Sequence, residues 1–249
     1  QVRLDGFLNR KNRMSAQLRS LIRSRVESEK RAVLGEFAAS VAHEVRNPLA
    51  TIRISVQTLG AREEDATRRE LLSLVVDEIE RINSVIENLL GFARPSEPQR
   101  TEVSARELLR RVVVLVGPMA EESRVKVSMS GEPQLRLLVD VGQAQQILMN
   151  LALNALQAMP QGGSLTLRTH REGEFGCISV SDTGAGMPGN IAQKVMEPFF
   201  TTKPGGTGLG LPISRQLAEM NGGELELASV PGAGTTATLR VPLAQGAYA

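Results

Sequence analysis

Aromatic residues are scarce in this 249-residue chain, which contains six phenylalanines, one tyrosine and no tryptophan. Proteins that bind single-stranded nucleic acid without sequence preference stack the bases on aromatic side chains. So few aromatic residues offer little material for such a platform. The composition therefore argues against a nucleic-acid partner.

Cysteine and long apolar segments are also nearly absent. The only cysteine, Cys177, cannot form an intramolecular disulfide, and its apolar neighbours favour a buried structural thiol in a reducing compartment. No apolar stretch approaches the roughly 18–20 residues that span a bilayer, and we find no signal peptide. We therefore expect a cytoplasmic fragment without membrane contact of its own. Because it begins at Gln1 and not at methionine, we expect it to be a piece of a longer protein whose anchor or sensor lies upstream.

The net charge is only +2, but charge is unevenly distributed along the chain. Residues 1–31 contain nine Lys/Arg and three Asp/Glu, which gives a local charge of +6 (9 − 3). Apolar residues recur there in imperfect heptad register, which predicts an N-terminal helix that forms a weak coiled coil at best. The basic residues are interpreted as a solvated face of this helix, although such a face can also bind an anionic surface.

An apolar stripe with helical spacing runs through residues 32–94. Apolar side chains recur every three or four positions from Leu34 to Leu59 and again from Leu71 to Leu89, with a polar break over Gly60–Thr67. This pattern predicts two helices in an antiparallel hairpin. Because a lone hairpin leaves much of the stripe in water, we expect two copies to pair as a four-helix bundle in a homodimer. Two prolines then mark a linker over residues 95–100.

Residues 101–249 change to a mixed pattern that predicts an α+β sandwich, with helices on one face of a sheet. A capping box at Ser104 and Glu107 opens the first helix. The predicted helices are residues 104–116, 140–159 and 211–220. The predicted strands are Val125–Met129, Leu135–Val139, Ser164–Arg171, Phe175–Asp182, Glu224–Ser229 and Thr235–Pro242.

The first candidate site lies on the first helix of the hairpin. His43 is two residues from Val41 of the apolar stripe, about 200° around the helix, so it faces away from the stripe. Asn47 at i+4 shares this exposed face, and Glu44 flanks it. A solvent-facing histidine beside a carboxylate can act as a nucleophile whose proton is removed as it attacks. An ordinary surface histidine is the alternative interpretation.

The second candidate site is a pair of asparagines on an otherwise apolar helix. Asn150 and Asn154 are four residues apart, so both carboxamides project from one face. Amide oxygens suit a hard cation such as Mg²⁺, which keeps several waters and bridges substrate phosphates. Two asparagines that bond to the local backbone would fit the same spacing.

The third candidate site is rich in glycine. Residues 182–211 hold seven of the 23 glycines of the chain, six of them in the runs Asp182–Gly186 and Gly205–Leu211. Glycine lets backbone N–H groups approach a phosphate closely, and a helix N-terminus adds a favourable dipole. Lys203 lies between the two runs and can reach a terminal phosphate. The pattern matches neither a P-loop nor a dinucleotide-binding fingerprint.

Together the three sites resemble the H, N, G1, F and G2 boxes of the histidine kinase family, in the family's order. The resemblance covers about residues 32–243 and is similar to the nitrogen-regulation-like subgroup. It implies an all-α helical hairpin, dimerised as a four-helix bundle, followed by a Bergerat-type (GHKL) ATP-binding α+β sandwich. The implied domains are a signalling helix over 1–31, a dimerisation and histidine phosphotransfer domain over 32–94, a linker over 95–100 and a catalytic domain over 101–249.

The resemblance also implies roles for single residues. His43 would be the phosphoacceptor, Glu44 the base that takes its proton, and Asn47 the residue that orients water for a phosphatase reaction. Asp182 would bond the adenine amino group, and Asn154 would ligate Mg²⁺ with help from Asn150. The implied ATP contacts are Asn150, Asn154, Asp182, Gly184, Gly186, Thr201, Thr202, Lys203, Thr207, Gly208, Leu209, Gly210 and Leu211.

One position departs from the commonest family pattern, because many members have lysine where this chain has Gln157. A phosphate contact there is in doubt, and Lys203 of the lid over residues 187–207 can substitute for it.

The implied activity is ATP-dependent phosphorylation of His43 and transfer to an aspartate of a response regulator, with phosphatase activity. Two alternatives stay open. One is an ATPase of the gyrase and Hsp90 type, in which a glutamate stands at the position of Asn150. The other is a scaffold that uses nucleotide only as a conformational ligand.

Overall fold

A computed structural model describes residue 42 and residues 45–93, 96–203 and 206–244. The chain divides into two compact units, Gln1–Pro95 and Ser96–Ala249. The helix predicted over residues 1–31 lies outside the described residues, as do His43 and Glu44. No helix among the described residues is long and apolar enough to cross a membrane.

The first unit contains a helical hairpin, as the apolar stripe predicts. Helix α1 covers residues 45–60 of the described chain, and helix α2 is Ala66–Ala93. Helix α2 begins inside the segment predicted as a polar loop, because the Asp65 carboxylate accepts a hydrogen bond from the backbone N–H of Arg68 at 3.0 Å. A side-chain oxygen in that position satisfies one of the free N–H groups of the first turn.

Burial along the hairpin is uneven. Ala42, Leu49, Ile79 and Ile86 form a buried cluster, against which Val45, Ile82 and Leu90 pack. Closer to the α1–α2 turn the same apolar stripe is exposed in the single chain, by 61% at Leu59 and 57% at Leu74. The stripe therefore has a packed half and an uncovered half.

The second unit contains a five-stranded sheet in the order β2-β4-β5-β7-β6, with β2 parallel to β4 and the other pairs antiparallel. A separate two-stranded sheet pairs β1 with β3. The strands are β1 Thr101–Ser104, β2 Val125–Gly131, β3 Arg136–Val139, β4 Gly163–Glu172, β5 Phe175–Asp182, β6 Glu224–Val230 and β7 Gly234–Pro242. This arrangement confirms the predicted α+β fold and its central hairpin.

Three long helices accompany the sheet and pack on it and on one another. The helices of this unit are α3 Ala105–Glu122, α4 Val141–Gln157, the short α5 Gly189–Ala192 and α6 Gly210–Met220. Buried residues on the sheet, such as Leu167 and Ile178, form the core together with Leu108 and Leu148 of the helices. Cys177 is also buried, as predicted, and burial raises the pKa of its thiol to about 11.

Two local features differ from the sequence prediction. Strand β1 was not predicted, because four residues are too few for a periodic signal and its partner β3 lies more than 30 positions away. Helix α3 continues six residues past the predicted end at Val116, with Pro118 inside it. A proline usually ends a helix, but Val116 and Ala120 on either side are fully or almost fully buried and anchor the last turns.

A buried polar network joins α6 to the start of α4. Asn221, which is 1% exposed, accepts a hydrogen bond from the backbone N–H of Asp140 at 2.8 Å. Its amide donates to Gln143 Oε1 and to the carbonyl of Leu217, each at 2.8 Å. The Asp140 carboxylate caps α4 through the N–H of Gln143, and this bond holds the pKa of Asp140 below its ordinary value. Asn221 therefore fixes the helix that carries the asparagine pair.

We predict that Asn221→Ala lowers the free energy of unfolding of the second unit by about 2–4 kcal/mol, since it leaves buried polar groups without partners. Chemical denaturation followed by circular dichroism measures this loss. Asn190→Ala is the matched control, because Asn190 is exposed on α5. Equal stability of the two variants would contradict the proposed importance of the network.

Candidate functional site

Helix α4 presents a row of amide side chains. Asn150 and Asn154 lie one turn apart, and Asn154 Nδ2 donates to Asn150 Oδ1 at 3.4 Å. Asn150 Nδ2 donates to the hydroxyl of Ser214 on α6 at 2.8 Å. A Cβ atom on Gly210 would lie 2.5 Å from Asn150 Oδ1, so any larger residue there would push the Asn150 amide out of its present position. Asn150 therefore joins α4 to α6, and Asn154 is the outer member of the row.

Lys203 lies at the end of this amide row. Its ammonium group donates to Asn154 Oδ1 at 3.0 Å and to Gln157 Oε1 at 2.7 Å. Lys203 is exposed as a residue, but its ammonium is held against α4, where partial desolvation lowers the pKa of Lys203 while the negative charge of Asp182 opposes that effect. The ammonium of Lys203 thus lies next to Gln157, the position at which many family members have a lysine.

Asp182 ends β5, and its carboxylate is held by backbone donors. Asp182 Oδ1 accepts hydrogen bonds from the N–H of Gly184 at 2.9 Å and of Thr235 at 3.2 Å. Two donors on one oxygen fix the orientation of the carboxylate. These two bonds to Oδ1 also fix the direction of Oδ2, which can accept a hydrogen bond from a ligand.

Gly184 and Gly186 allow close backbone contacts around Asp182. A Cβ on Gly184 would lie 2.5 Å from the carbonyl oxygen of Ala158 at the end of α4. Gly186 has φ 63° and would place a Cβ 2.0 Å from the carbonyl oxygen of Val230. Both positions therefore require glycine, and they draw the loop after β5 against α4 and the β6–β7 turn.

The second glycine-rich run leads into α6. Gly208 has φ 65° and lies against the backbone of Phe199, which itself has φ 66°. Thr207 Oγ1 accepts from the N–H of Leu209 at 3.3 Å, and Thr201 Oγ1 accepts from the N–H of Lys203 at 3.1 Å. Leu209 is buried, Leu211 is half-buried, and Thr202 is exposed. The two threonine hydroxyls therefore fix the local backbone at Lys203 and at Leu209.

Sequence reasoning missed three contributors to the site. Ser214 is 1% exposed and holds Asn150, and Thr235 donates its N–H to Asp182. Gly234 has φ 100°, and a Cβ there would lie 1.9 Å from the carbonyl oxygen of Asp182. The run Gly232-Ala233-Gly234-Thr235 is a glycine signal that was available. The contact of this run with Asp182 could not be predicted, because it depends on the pairing of β5 with β7, which lie more than 50 residues apart in the sequence.

Of the site predicted on the hairpin, only Asn47 is described. Asn47 is exposed on α1, and its carbonyl accepts a hydrogen bond from the hydroxyl of Thr51 at 3.3 Å. Next to it, Arg46 forms an ion pair with Glu87 of α2 at 3.8 Å. The exposure of Asn47 agrees with its predicted placement away from the apolar core.

Comparison with protein families gives two matches. Residues 139–245 match the family described as histidine kinase-, DNA gyrase B- and HSP90-like ATPase. Residues 33–98 match the His Kinase A (phospho-acceptor) domain. The second unit is therefore an ATPase domain of the GHKL type, preceded by a phosphoacceptor domain.

The curated relatives that the chain resembles are named as kinases. The chain is 39% identical over 223 residues to the signal transduction histidine-protein kinase AtoS of Escherichia coli K12, covering 89% of this chain and 37% of AtoS. It is 33% identical over 219 residues to sporulation kinase C of Bacillus subtilis 168, covering 87% of this chain and 51% of that kinase. The chain thus spans about a third to a half of the length of these relatives.

Solved structures agree with the fold. Full-length ShkA in complex with AMPPNP aligns with a TM-score of 0.75 at 28% identity, over 84% of this chain and 46% of ShkA. Histidine kinase ThkA in complex with the response regulator protein TrrA aligns with a TM-score of 0.65 at 26% identity, over 87% of this chain and 64% of that chain. The chain therefore joins a His Kinase A (phospho-acceptor) domain to a GHKL-type ATP-binding domain, and along most of its length it is similar to histidine kinases.

We predict that Gly234→Ala and Gly232→Ala differ sharply in stability, although both glycines have positive φ and are only two residues apart, Gly232 in the β6–β7 turn and Gly234 at the start of β7. A Cβ on Gly232 meets nothing within 4 Å, so alanine there adds only backbone strain of about 1 kcal/mol. A Cβ on Gly234 also collides with the Asp182 carbonyl, and we expect a loss of at least about 3 kcal/mol. Urea denaturation of the two variants checks this, and equal losses would contradict it.

Proposed function

We propose that this chain binds ATP in its second unit and transfers the γ-phosphoryl group to a ring nitrogen of His43. The bond from γ-phosphorus to the bridging oxygen breaks, a phosphorus–nitrogen bond forms, and Glu44 takes the ring proton. The phosphoryl group then passes to an aspartate of a response regulator. The supporting observation is that one GHKL domain combines an oriented carboxylate, an amide row and a lysine, in a chain with a phosphoacceptor domain.

Asp182 is proposed as the adenine contact. Its Oδ1 already accepts two backbone N–H bonds, which leaves the other oxygen for the exocyclic amine of adenine. A hydrogen bond to a carboxylate is worth roughly 1.5–3 kcal/mol. Such a contact would distinguish an adenine amine from a guanine carbonyl, because only the amine can donate.

Asn154 is proposed as the protein ligand of Mg²⁺, with Asn150 as its positioning neighbour. The residues fit the ion, because Asn154 Oδ1 already accepts from a cationic group and its amide nitrogen is turned toward Asn150. Bound Mg²⁺ would neutralise charge that builds up on the transferring phosphates. Lys203 and Mg²⁺ compete for the same amide oxygen, so the lysine must leave Asn154 when the ion binds.

We propose that Lys203 supplies the cation that many family members place at the position of Gln157. Gln157 Oε1 lies 2.7 Å from the ammonium and holds it next to Asn154. When nucleotide enters, an anionic phosphate is a stronger acceptor for the ammonium than two neutral amides. This exchange, together with the run Thr201–Leu211, supports assignment to the nitrogen-regulation-like subgroup.

The first test of the function separates transfer from binding. We expect His43→Gln to abolish phosphorylation of the protein while ATP affinity stays within about twofold, because it removes the acceptor and not the pocket. Asp182→Asn should instead weaken ATP binding about 10-fold to 100-fold. Labelled phosphate on the protein, stable to alkali and labile to acid, and calorimetry with ATP measure the two effects. Labelling of His43→Gln at the normal level would overturn the assignment.

The second test concerns the lysine. Lys203→Met should lower kcat/KM for autophosphorylation by about 10-fold to 100-fold, since a charged contact to phosphate is lost. Gln157→Lys combined with Lys203→Met should recover part of that loss, because it returns the cation to the same place. Lys194→Met is the matched control, as Lys194 is exposed in the same lid. Full activity of Lys203→Met would contradict the role.

We also propose a homodimer formed through the exposed half of the hairpin stripe. Leu71 and Leu74 are 58% and 57% exposed in one chain, on a domain whose family is defined by phosphoacceptor helices. Pairing two such faces would remove these side chains from water.

Charge on this face should prevent pairing. We expect Leu74→Glu to convert the dimer to a monomer in sedimentation velocity, because two glutamates would be buried at the interface. Ser73→Glu, which adds the same charge at an exposed position on the other side of α2, is the control and should remain dimeric. A dimer in both variants would exclude this face as the interface.

Asn47 supports a phosphatase reaction as part of the same proposal. It is exposed one turn beyond His43, and a carboxamide can orient a water but cannot take its proton. The partner would be the phosphorylated response regulator, and we propose that the reaction takes place in the cytoplasm.

A further inference from the structure

The face of the sheet opposite the helices holds a cluster of three metal-ligating side chains. Side chains alternate along a strand, so His170 points away from its buried neighbour Thr169, which faces the core. Cys177 is the cross-strand partner of His170, and Glu172 lies two residues further along β4 on the same face. The histidine, thiol and carboxylate therefore meet at the β4–β5 hairpin.

The spacing of the three ligand atoms suits a small cation. One nitrogen of His170, Sγ of Cys177 and one carboxylate oxygen of Glu172 all lie within 4.8 Å of one another. Cys177 Sγ and Glu172 Oε2 are 3.7 Å apart. Ligands at Zn²⁺ distances of about 2.0–2.3 Å in a tetrahedron are separated by roughly 3.3–3.8 Å. The cluster therefore needs to close by about 1.5 Å at most.

Burial supplies an independent indication of a ligand. Cys177 is 0% exposed, and Nδ1 of His170 is a buried atom with no hydrogen-bond partner among the described residues. A buried polar atom normally has a partner, and an exception calls for an explanation such as an ion. One imidazole nitrogen, a buried sulfur and a carboxylate oxygen together match the donor set of zinc.

Arg240 is the group that opposes a cation here. Its guanidinium lies 3.5 Å from Glu172 Oε2, but it is also bonded to Glu224 at 2.8 Å and lies 5.3 Å from the centre of the Phe175 ring. Arg240 therefore keeps an anionic partner if Glu172 turns to a metal. Its charge still lowers the affinity of the site.

We propose that His170, Glu172 and Cys177 form a binding site for a divalent cation of the zinc type, with water in the fourth position. Binding displaces the thiol proton of Cys177 to solvent, so the sulfur coordinates as thiolate. The ion would link β4 to β5. Cys177 and Asp182 are five residues apart on β5, about 17 Å along the strand, so this site is separate from the nucleotide site.

Cobalt provides the probe, because Co²⁺ replaces Zn²⁺ in such sites and a cobalt–thiolate bond gives a charge-transfer absorption. The chain has one cysteine, so this band can arise only from Cys177. We expect the purified 249-residue chain, without nucleotide, to show the band on titration with Co²⁺ and to lose it when Zn²⁺ is added. Zn²⁺ should also raise the melting temperature.

Variants locate the ligands. Cys177→Ser should abolish the band, and His170→Gln and Glu172→Gln should each weaken Co²⁺ binding by about 10-fold to 100-fold or more. Arg240→Gln should strengthen it, since a repelling charge is removed. The matched controls are Glu174→Gln, in the same hairpin, and His43→Gln, which removes the only other histidine. Both controls should bind as the unmodified chain does.

Three outcomes would overturn the proposal: no thiolate band, a band that survives unchanged in His170→Gln, or Zn²⁺ binding that is undiminished in Cys177→Ser. Circular dichroism establishes that each variant is folded. If Cys177→Ser does not fold, the two surface-side variants, His170→Gln and Glu172→Gln, decide the question. None of these readouts uses ATP, so they are independent of the proposed kinase function.

Discussion

The contact between α4 and α6 is the constraint on which the site depends. Asn150 donates to Ser214, and the start of α6 approaches its amide so closely that a Cβ at position 210 would displace it. At the other end of the two helices, Asn221 bonds to the first turn of α4. Two polar contacts thus fix the rotation and depth of α4, and with them the direction in which Asn154 points. A shift of either helix would move the amide row as a unit.

The Asp182 loop obeys a second constraint, which is close backbone approach. Three different elements meet there: the end of α4 at Gly184, the β6–β7 turn at Gly186, and the start of β7 at Gly234. Each contact would be blocked by one Cβ atom. Because the backbone supplies the donors to Asp182, the orientation of the carboxylate depends on the fold and not on any one neighbouring side chain. Leu167 and Ile178 are packed in the apolar core, but such packing alone would not fix the orientation of the Asp182 carboxylate.

Periodicity and glycine spacing predicted the fold class and most of the elements. The helix with Asn150 and Asn154 and the hairpin ending at Asp182 could be predicted because their signals are local. Strand β1, the contact of Ser214 with Asn150 and the donation from Thr235 to Asp182 could not, since each joins segments that are distant in sequence. The roles of His43 and Glu44 stay predictions, as both lie outside the described residues. The family resemblance suggested that Lys203 replaces the lysine that many members have at position 157. The structure then gave the contacts of Lys203 with Asn154 and Gln157.

The position of Lys203 links nucleotide binding to protons. Without nucleotide its ammonium has two neutral amide acceptors and a lowered pKa. A phosphate partner raises the pKa of a lysine, because it stabilises the charged form. The complex then holds more protons than the free protein at alkaline pH, and the affinity for ATP falls as the pH rises through the pKa of the free lysine. With Lys203 as the proposed phosphate contact, the desolvation that lowers the pKa of its ammonium therefore limits nucleotide binding at alkaline pH.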